Sequence, residues 1–307
     1  MSRPDSHPIV GRGIVGPLNQ TASYWKLRSK SLSFGRVPLV MGIVNVTPDS
    51  FSDGGQFANS AAAIEHAIRL ADEGAAILDV GGESTRPYSS PVDAEEELAR
   101  VIPVIEGITA RSDVPISVDT SKAIVAQAAI DAGAEIINDI TGLELDSEML
   151  PVALKTGAGI CAMHMQGSPQ TMQDNPSYVD VVRDIHTYLA QRKQHLLDAG
   201  IELEKICLDP GIGFGKTHQH NLQLLANCHQ YHDLGCPILI GHSRKGFIAK
   251  IIGDKTANRD SETMAITLML AQKAIQIVRV HEVKETVNAI RVFDATGGVD
   301  GQVCKVE

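Results

Sequence analysis

The chain has 307 residues, 43% of them hydrophobic, and a mean hydropathy of −0.01, which suits one large core; a single domain is expected, because α/β barrels reach this length as one unit. A formal net charge of −10 and a pI near 5.5 argue against general binding to nucleic acid or anionic membranes, which need a cationic field. An anionic substrate therefore needs a local basic pocket. Five cysteines, at 161, 207, 228, 236 and 304, form no CxxC pair, and Cys161 and Cys207 sit in apolar runs. Buried free thiols in a reducing cytosol are expected, not zinc or disulfides. No apolar run approaches the length of a membrane span and no signal-peptide core is visible, so a cytoplasmic protein with no membrane partner is expected.

Residues 1–20 carry Pro4, Pro8, Gly11, Gly13, Gly16 and Pro17 without periodicity and read as a loose extension. From Tyr24 to Phe34, Trp25, Leu27, Leu32 and Phe34 alternate with polar neighbours, as in a short β-hairpin able to plug one end of a barrel. Eight apolar runs follow: Leu39 to Asn45, Ala76 to Gly82, Ile116 to Thr120, Glu135 to Ile140, Gly159 to Met165, Lys205 to Gly211, Pro237 to Ser243 and Ile275 to His281. Their nearly unbroken hydrophobicity suits parallel strands covered on both sides. Helix-period segments separate them, among them Ala61 to Glu73, Ala94 to Thr109, Ala123 to Ala132, Val179 to Ala199 and Arg259 to Lys273, with Gly74, Gly133 and Gly200 as C-terminal caps. The expected fold is an α/β (β/α)8 TIM barrel with an N-terminal β-hairpin extension; an open sheet with two extra strands is the alternative. The expected divisions are an extension over 1–37, the barrel over 38–296 and a tail over 297–307.

In a barrel of this kind the active site lies at the C-terminal strand ends. Those ends read Asn45, Gly82-Glu83, Asp119-Thr120, Asn138-Asp139, His164, Asp209, Ser243 with Lys245, and Arg279 with His281. Turn chemistry explains any one of them but not eight together. Asp119, Asn138 and Asp209 suit a planar ligand with adjacent N–H donors, such as the amino-pyrimidinone edge of a pterin or guanine; a divalent-metal site is the competing reading. Arg86, Lys245, Arg279 and His281 supply the local positive pocket, and Arg279 and His281, two residues apart, can hold a phosphate or diphosphate. The run Asp209-Pro-Gly-Ile-Gly-Phe-Gly-Lys216 first suggests a phosphate cradle, although it meets neither the dinucleotide nor the Walker spacing.

The stretch Met41-Gly-Ile-Val-Asn-Val-Thr-Pro-Asp-Ser-Phe-Ser-Asp-Gly-Gly55 resembles the first signature of the dihydropteroate synthase family, and Gly81 to Pro87, Ser117 to Thr120, Ile137 to Ile140, Met163 to Gly167, Asp209 to Lys216, Ser243 to Lys245 and Arg279 to His281 resemble its other blocks in the same order. The resemblance covers about residues 38 to 296. It implies condensation of 7,8-dihydropterin-6-ylmethyl diphosphate with p-aminobenzoate, giving dihydropteroate and diphosphate in folate biosynthesis, in a Mg2+-dependent, sulfonamide-sensitive homodimer. It assigns the pterin to Asp119, Asn138, Asp209 and Lys245, the metal to Asn45, and the diphosphate to Asn45, Arg86, Arg279 and His281. The p-aminobenzoate falls to Phe51, Thr85, Pro87, Phe214, Lys245 and Gly246, and the catalytic set is Asp53, Lys245, Arg279 and His281. The segment Thr47 to Gly55 is expected to close as a lid.

Three departures stand near the arylamine: Gly246 where the family has serine, His242 where a small or hydroxyl residue is commoner, and Tyr88 in place of a glycine. A pterin-dependent methyltransferase and an inactive pterin-binding paralogue are the alternatives. Other features receive bland readings: Glu95-Glu96-Glu97 as a solvated first helical turn, the scattered histidines as surface groups, and Asn258 to Lys273 with Glu282 to Phe293 as a dimer face. Lys216 is left without a role.

Overall fold

A computed structural model describes residues 21–46 and 55–303. All eight apolar runs form strands of one parallel sheet: β3 (Leu39–Asn45), β4 (Ile77–Gly81), β5 (Ile116–Asp119), β6 (Ile136–Asp139), β7 (Gly159–Met163), β8 (Ile206–Asp209), β9 (Leu239–Gly241) and β10 (Ile277–Val280). Hydrogen bonding runs in the order β8-β7-β6-β5-β4-β3-β10-β9, and a parallel bridge between Leu208 and Ile238 joins the two ends. The sheet therefore closes into a barrel, which the open-sheet alternative does not.

Helices alternate with the strands: α1 (Gly55–Asp72), α2 (Ala94–Thr109), α3 (Ala123–Asp131), α4 (Met149–Thr156), α5 (Val181–Asp198), α6 (His218–Asn227), α7 (Gly246–Ile252), α8 (Asp260–Gln272) and α9 (Val283–Ala295). The first begins at Gly55, not Ala61, because the polar residues Gln56 and Ser60 interrupt the apolar period without opposing helix formation. After α1, α3 and α5 the chain turns back through Gly74, Gly133 and Gly200 at φ of 100°, 115° and 102°, a region that glycine enters without steric cost.

Two apolar layers result from the two faces of each strand. Outward side chains such as Val44, Leu78, Val118, Ile137 and Leu208 pack against the helices. The inward residues of the first strand turns, Met41, Ile77, Ile136, Cys161, Cys207, Leu239 and Ile277, form a separate cluster with Trp25 and Leu27. These last two belong to the antiparallel hairpin β1 (Tyr24–Lys26) and β2 (Ser31–Ser33). Trp25 is fully buried, its Nε1 donates to Lys205 O at 3.0 Å, and Ser29 N and Oγ both donate to the Glu135 carboxylate. The hairpin thus plugs the N-terminal mouth, as its alternation predicts. The four described cysteines, 161, 207, 228 and 236, are buried free thiols, and among the described residues no helix is long and apolar enough to cross a membrane.

Candidate active site at the C-terminal end of the barrel

On five of the strands the inward position two residues further along carries a charged or amide side chain. Ile77 is followed by Asp79, Ser117 by Asp119, Ile136 by Asn138, Cys207 by Asp209 and Ile277 by Arg279. Side-chain alternation puts this second set inside the barrel directly above the apolar floor. Arg279 lies at its centre: Nε donates to Asp79 Oδ2 at 2.5 Å and Nη2 to Asp119 Oδ2 at 2.9 Å. Asn138 Nδ2 donates to both Asp79 oxygens at 3.3 Å, which turns its amide oxygen the other way. Asp209 Oδ1 accepts from Gly211 N at 2.7 Å.

Burial sets the electrostatics of this ring. It pushes the Asp119 carboxyl up to about 7, against the pull of Arg279, and raises Asp209 against the Gly211 N–H bond and the charges of Lys245 and Lys216. Burial pushes Lys245 down to about 7, with Asp209 opposing. Burial also works against the charge on Arg279, but Asp79 and Asp119 outweigh it and leave the guanidinium raised. Asp79 is missing from the sequence-based set because it lies mid-strand, not at a strand end. Reading Ile77, Asp79 and Gly81 as one face of β4 would have found it.

The glycine run after β8 is held by its own carbonyls. Gly211 O accepts from Phe214 N, Gly213 O from Gln173 Nε2 at 2.6 Å, Phe214 O from Lys216 Nζ at 2.8 Å and Gly215 O from Tyr178 Oη at 2.7 Å. Ile212 O accepts from Lys245 Nζ, which also lies 4.3 Å from the centre of the Phe214 ring. Gly211 has φ of 69°, and a Cβ there would come within 1.9 Å of His164 O, so this position requires glycine. The loop's N–H groups are engaged as well, Gly211 N with Asp209 Oδ1, Gly213 N with Asn221 Oδ1 and Phe214 N with Gly211 O, so these groups are not free to cradle a phosphate.

On the far side, Ser243 Oγ lies 2.9 Å from His281 Nδ1 and accepts from His281 N at 3.3 Å, fixing the ring. Burial and the neighbouring Arg244, Arg279 and Arg86 push His281 down to about 3. Arg244, at φ of 57°, makes a bidentate pair with Asp260 and also reaches Glu282, locking β9 to α8 and β10. Asn45 ends β3, half-buried and in register with Gly81.

Thr85 and Asp119 share the wall of a cavity of about 740 Å³ between the loops that follow β4 to β7. Asn138, Asp209, Lys245, Phe214 and Arg279 do not line it; Asp119 is the residue common to cavity and ring. Arg86 and Pro87 are exposed on the same loop as Thr85, and Gly246 is exposed at the start of α7 with open space where a Cβ would stand. Phe51, Asp53 and most of the expected lid lie outside the described residues.

Several sequence expectations need correction. Glu97 is fully buried and accepts, with Glu83, from Lys122 Nζ, because its position on α2 faces the barrel. Among the scattered histidines, His232 is buried with Nε2 2.9 Å from Lys273 O. His242 is buried against α8, its Nε2 3.1 Å from Thr263 O and 2.9 Å from Thr267 Oγ1, so it faces away from the strand-end ring. Tyr88 occupies a left-handed position, φ 65°, where glycine is at ease; its hydroxyl donates to Asp174 Oδ1 at 3.1 Å and its N–H to Pro169 O at 3.0 Å, tying the β4 loop to the β7 loop.

The pterin binding enzyme family matches residues 41–281. The chain is 48% identical over 259 residues to dihydropteroate synthase of Escherichia coli (strain K12), covering 84% of this chain and 92% of the relative. The solved Yersinia pestis dihydropteroate synthase with a sulfonamide drug complex is 44% identical with a TM-score of 0.83, covering 90% of this chain and 99% of that one. The Xanthomonas albilineans enzyme in complex with 7,8-dihydropteroate is 40% identical with a TM-score of 0.80, over 90% and 99%; its structure with 4-aminobenzoic acid is 42% identical with a TM-score of 0.84, over 91% and 100%.

Proposed function

Because the chain belongs to the dihydropteroate synthases of the pterin-binding enzyme family, we propose roles for its strand-end residues in that reaction. The enzyme is a transferase that joins 7,8-dihydropterin-6-ylmethyl diphosphate to p-aminobenzoate, releasing diphosphate; neither the methyltransferase nor the inactive paralogue is favoured. Asp119, Asn138 and Asp209 hold the pterin ring. Two carboxylates and an outward-turned amide oxygen present acceptors to the N–H edge of the heterocycle, and Lys245 donates to its carbonyl and ring-nitrogen side. The observation that carries this reading is the convergence of these groups, from four different elements, on one buried layer.

The reaction replaces diphosphate with an arylamine, a weak neutral nucleophile, so departure of the leaving group leads. Arg279 binds that group through Nη1, its other edges being taken by Asp79 and Asp119, and Arg86 joins from the β4 loop. His281 is neutral and contributes a hydrogen bond; an approaching anion raises its basicity. These residues work by position and electrostatic complementarity rather than by covalent catalysis.

Asn45 fits a Mg2+ ion: half-buried at the end of β3, the strand between β4 and β10, it offers one amide oxygen, and Mg2+ takes few protein ligands when phosphate and water complete its shell. When bound, the metal neutralises charge on the diphosphate. Among the described residues no cluster of three or more His, Cys, Asp or Glu side chains is placed to hold a metal. Phe214, Thr85, Pro87, Lys245 and Gly246 take the p-aminobenzoate, with Phe51; Asp53 faces the developing pterin cation. The protein works in the cytoplasm, in keeping with its buried reduced thiols, and pairs through α8 and α9 as a homodimer.

Incubation with dihydropterin diphosphate, labelled p-aminobenzoate and Mg2+ is expected to yield labelled dihydropteroate. Asp209→Asn is expected to weaken pterin binding by about 1.5 to 3 kcal/mol, read by calorimetry; unchanged affinity would remove Asp209 from the pterin site.

A further inference from the structure

Lys216 is a buried lysine to which the roles above give no task. Its side chain is 2% exposed. Three neutral acceptors surround its Nζ: Phe214 O at 2.8 Å, His164 Nδ1 at 3.1 Å and His164 O at 3.4 Å. Three acceptors match the three donors of an ammonium group. His164 is itself a firm anchor. It follows the end of β7, its N–H donates to Asp209 O at 3.0 Å, and its ring packs edge-on to Tyr188 at 4.7 Å between centroids. Burial and the charge of Lys216 push this imidazole down to about 3, so its Nδ1 is free to accept.

What Lys216 grips is the backbone of Phe214, whose ring lies under the Lys245 ammonium. We propose that Lys216 is a positioning residue for the arylamine half of the reaction, clamping the Phe214 carbonyl to the end of β7 so that the Phe214 ring and Lys245 keep their mutual placement. The inference rests on the reading that Phe214 walls the p-aminobenzoate pocket. Of the pterin groups, Asp119 and Asn138 come from other strands, and Asp209 and Lys245 keep their own bonds to Gly211 N and Ile212 O, so the clamp acts on Phe214.

Steady-state kinetics on the purified full chain test it, with Lys216→Met, Lys216→Gln, Phe214→Ala and the double variant Lys216→Met/Phe214→Ala. Lys216→Met is expected to raise KM for p-aminobenzoate by about five- to tenfold, the loss of a buried hydrogen bond to the Phe214 carbonyl, with KM for the pterin diphosphate changed by less than about threefold. Lys216→Gln, which keeps a donor, recovers part of that loss. The double variant is expected to be no worse than Phe214→Ala, because coupled residues do not add. An unchanged p-aminobenzoate KM in Lys216→Met, an equal rise in both KM values, fully additive losses, or failure of both Lys216 variants to fold would each overturn the proposal. If Phe214→Ala alone leaves p-aminobenzoate KM unchanged, the pocket reading fails and takes the inference with it.

Discussion

Asp79 shows how one carboxylate can organise a site that it does not line. It is fully buried and serves two partners, the guanidinium of Arg279 and the amide of Asn138. Asp79→Asn removes the charge that balances Arg279; breaking a buried ion pair from one side costs about 3–5 kcal/mol, so chemical denaturation is expected to show a loss of that order together with weaker pterin binding. A second expectation concerns pH. Asp119 must be ionised to accept from the pterin, so kcat/KM falls as pH drops through about 7; Lys245 must be protonated to donate, so it also falls as pH rises through about 7. With the two limbs falling at about the same pH, the predicted profile is a narrow bell near neutrality. Lys245→Arg is expected to abolish the alkaline limb while leaving the acid limb in place.

The residues that the sequence singled out were those at strand ends, where polar side chains break an apolar run. Asp79 was passed over for the converse reason, being one acid inside Ile-Leu-Asp-Val. Lys216 was left without a role and Glu97 was read as solvated, because burial of such a group depends on three-dimensional partners, His164 and Lys122, that lie 52 and 25 residues away.

Among the elements, the hairpin β1–β2 is separable from the chemistry. It seals one mouth of the barrel and the reactive groups occupy the other. Trp25→Ala is expected to cost about 3–5 kcal/mol, the usual effect of emptying a buried aromatic site, measured by urea denaturation, while KM for both substrates stays at its original value at temperatures where the variant is folded. All eight strands were legible because parallel strands covered on both faces leave continuous apolar runs. The start of α1 was not, since its first turns carry no apolar period to announce them. Tyr88 illustrates the limit of motif reading: its side chain departs from the family pattern while its backbone keeps the conformation that the usual glycine would adopt.

At the scale of the whole molecule, an acidic protein concentrates positive charge at one end of its barrel, where Arg86, Lys245, Arg279 and Arg244 gather around a layer of carboxylates. The barrel interior is thus graded along its axis, from apolar floor to charged rim, and the same alternate positions of the same strands build both. That gradation was partly readable, as the rim lies at strand ends and the floor only emerges once the strands are set in register. The floor also contains a gauge of its own opening. Cys161 and Cys207 face each other on adjacent strands beneath Trp25, whereas Cys228 and Cys236 lie in the outer layer against the helices. With Cys304 replaced by serine, a thiol reagent is expected to label Cys161 and Cys207 together, at a rate set by departure of the hairpin. Trp25→Ala should quicken that pair and leave Cys228 and Cys236 at their former rate, so that two sulfur atoms report how often the bottom of the barrel stands open.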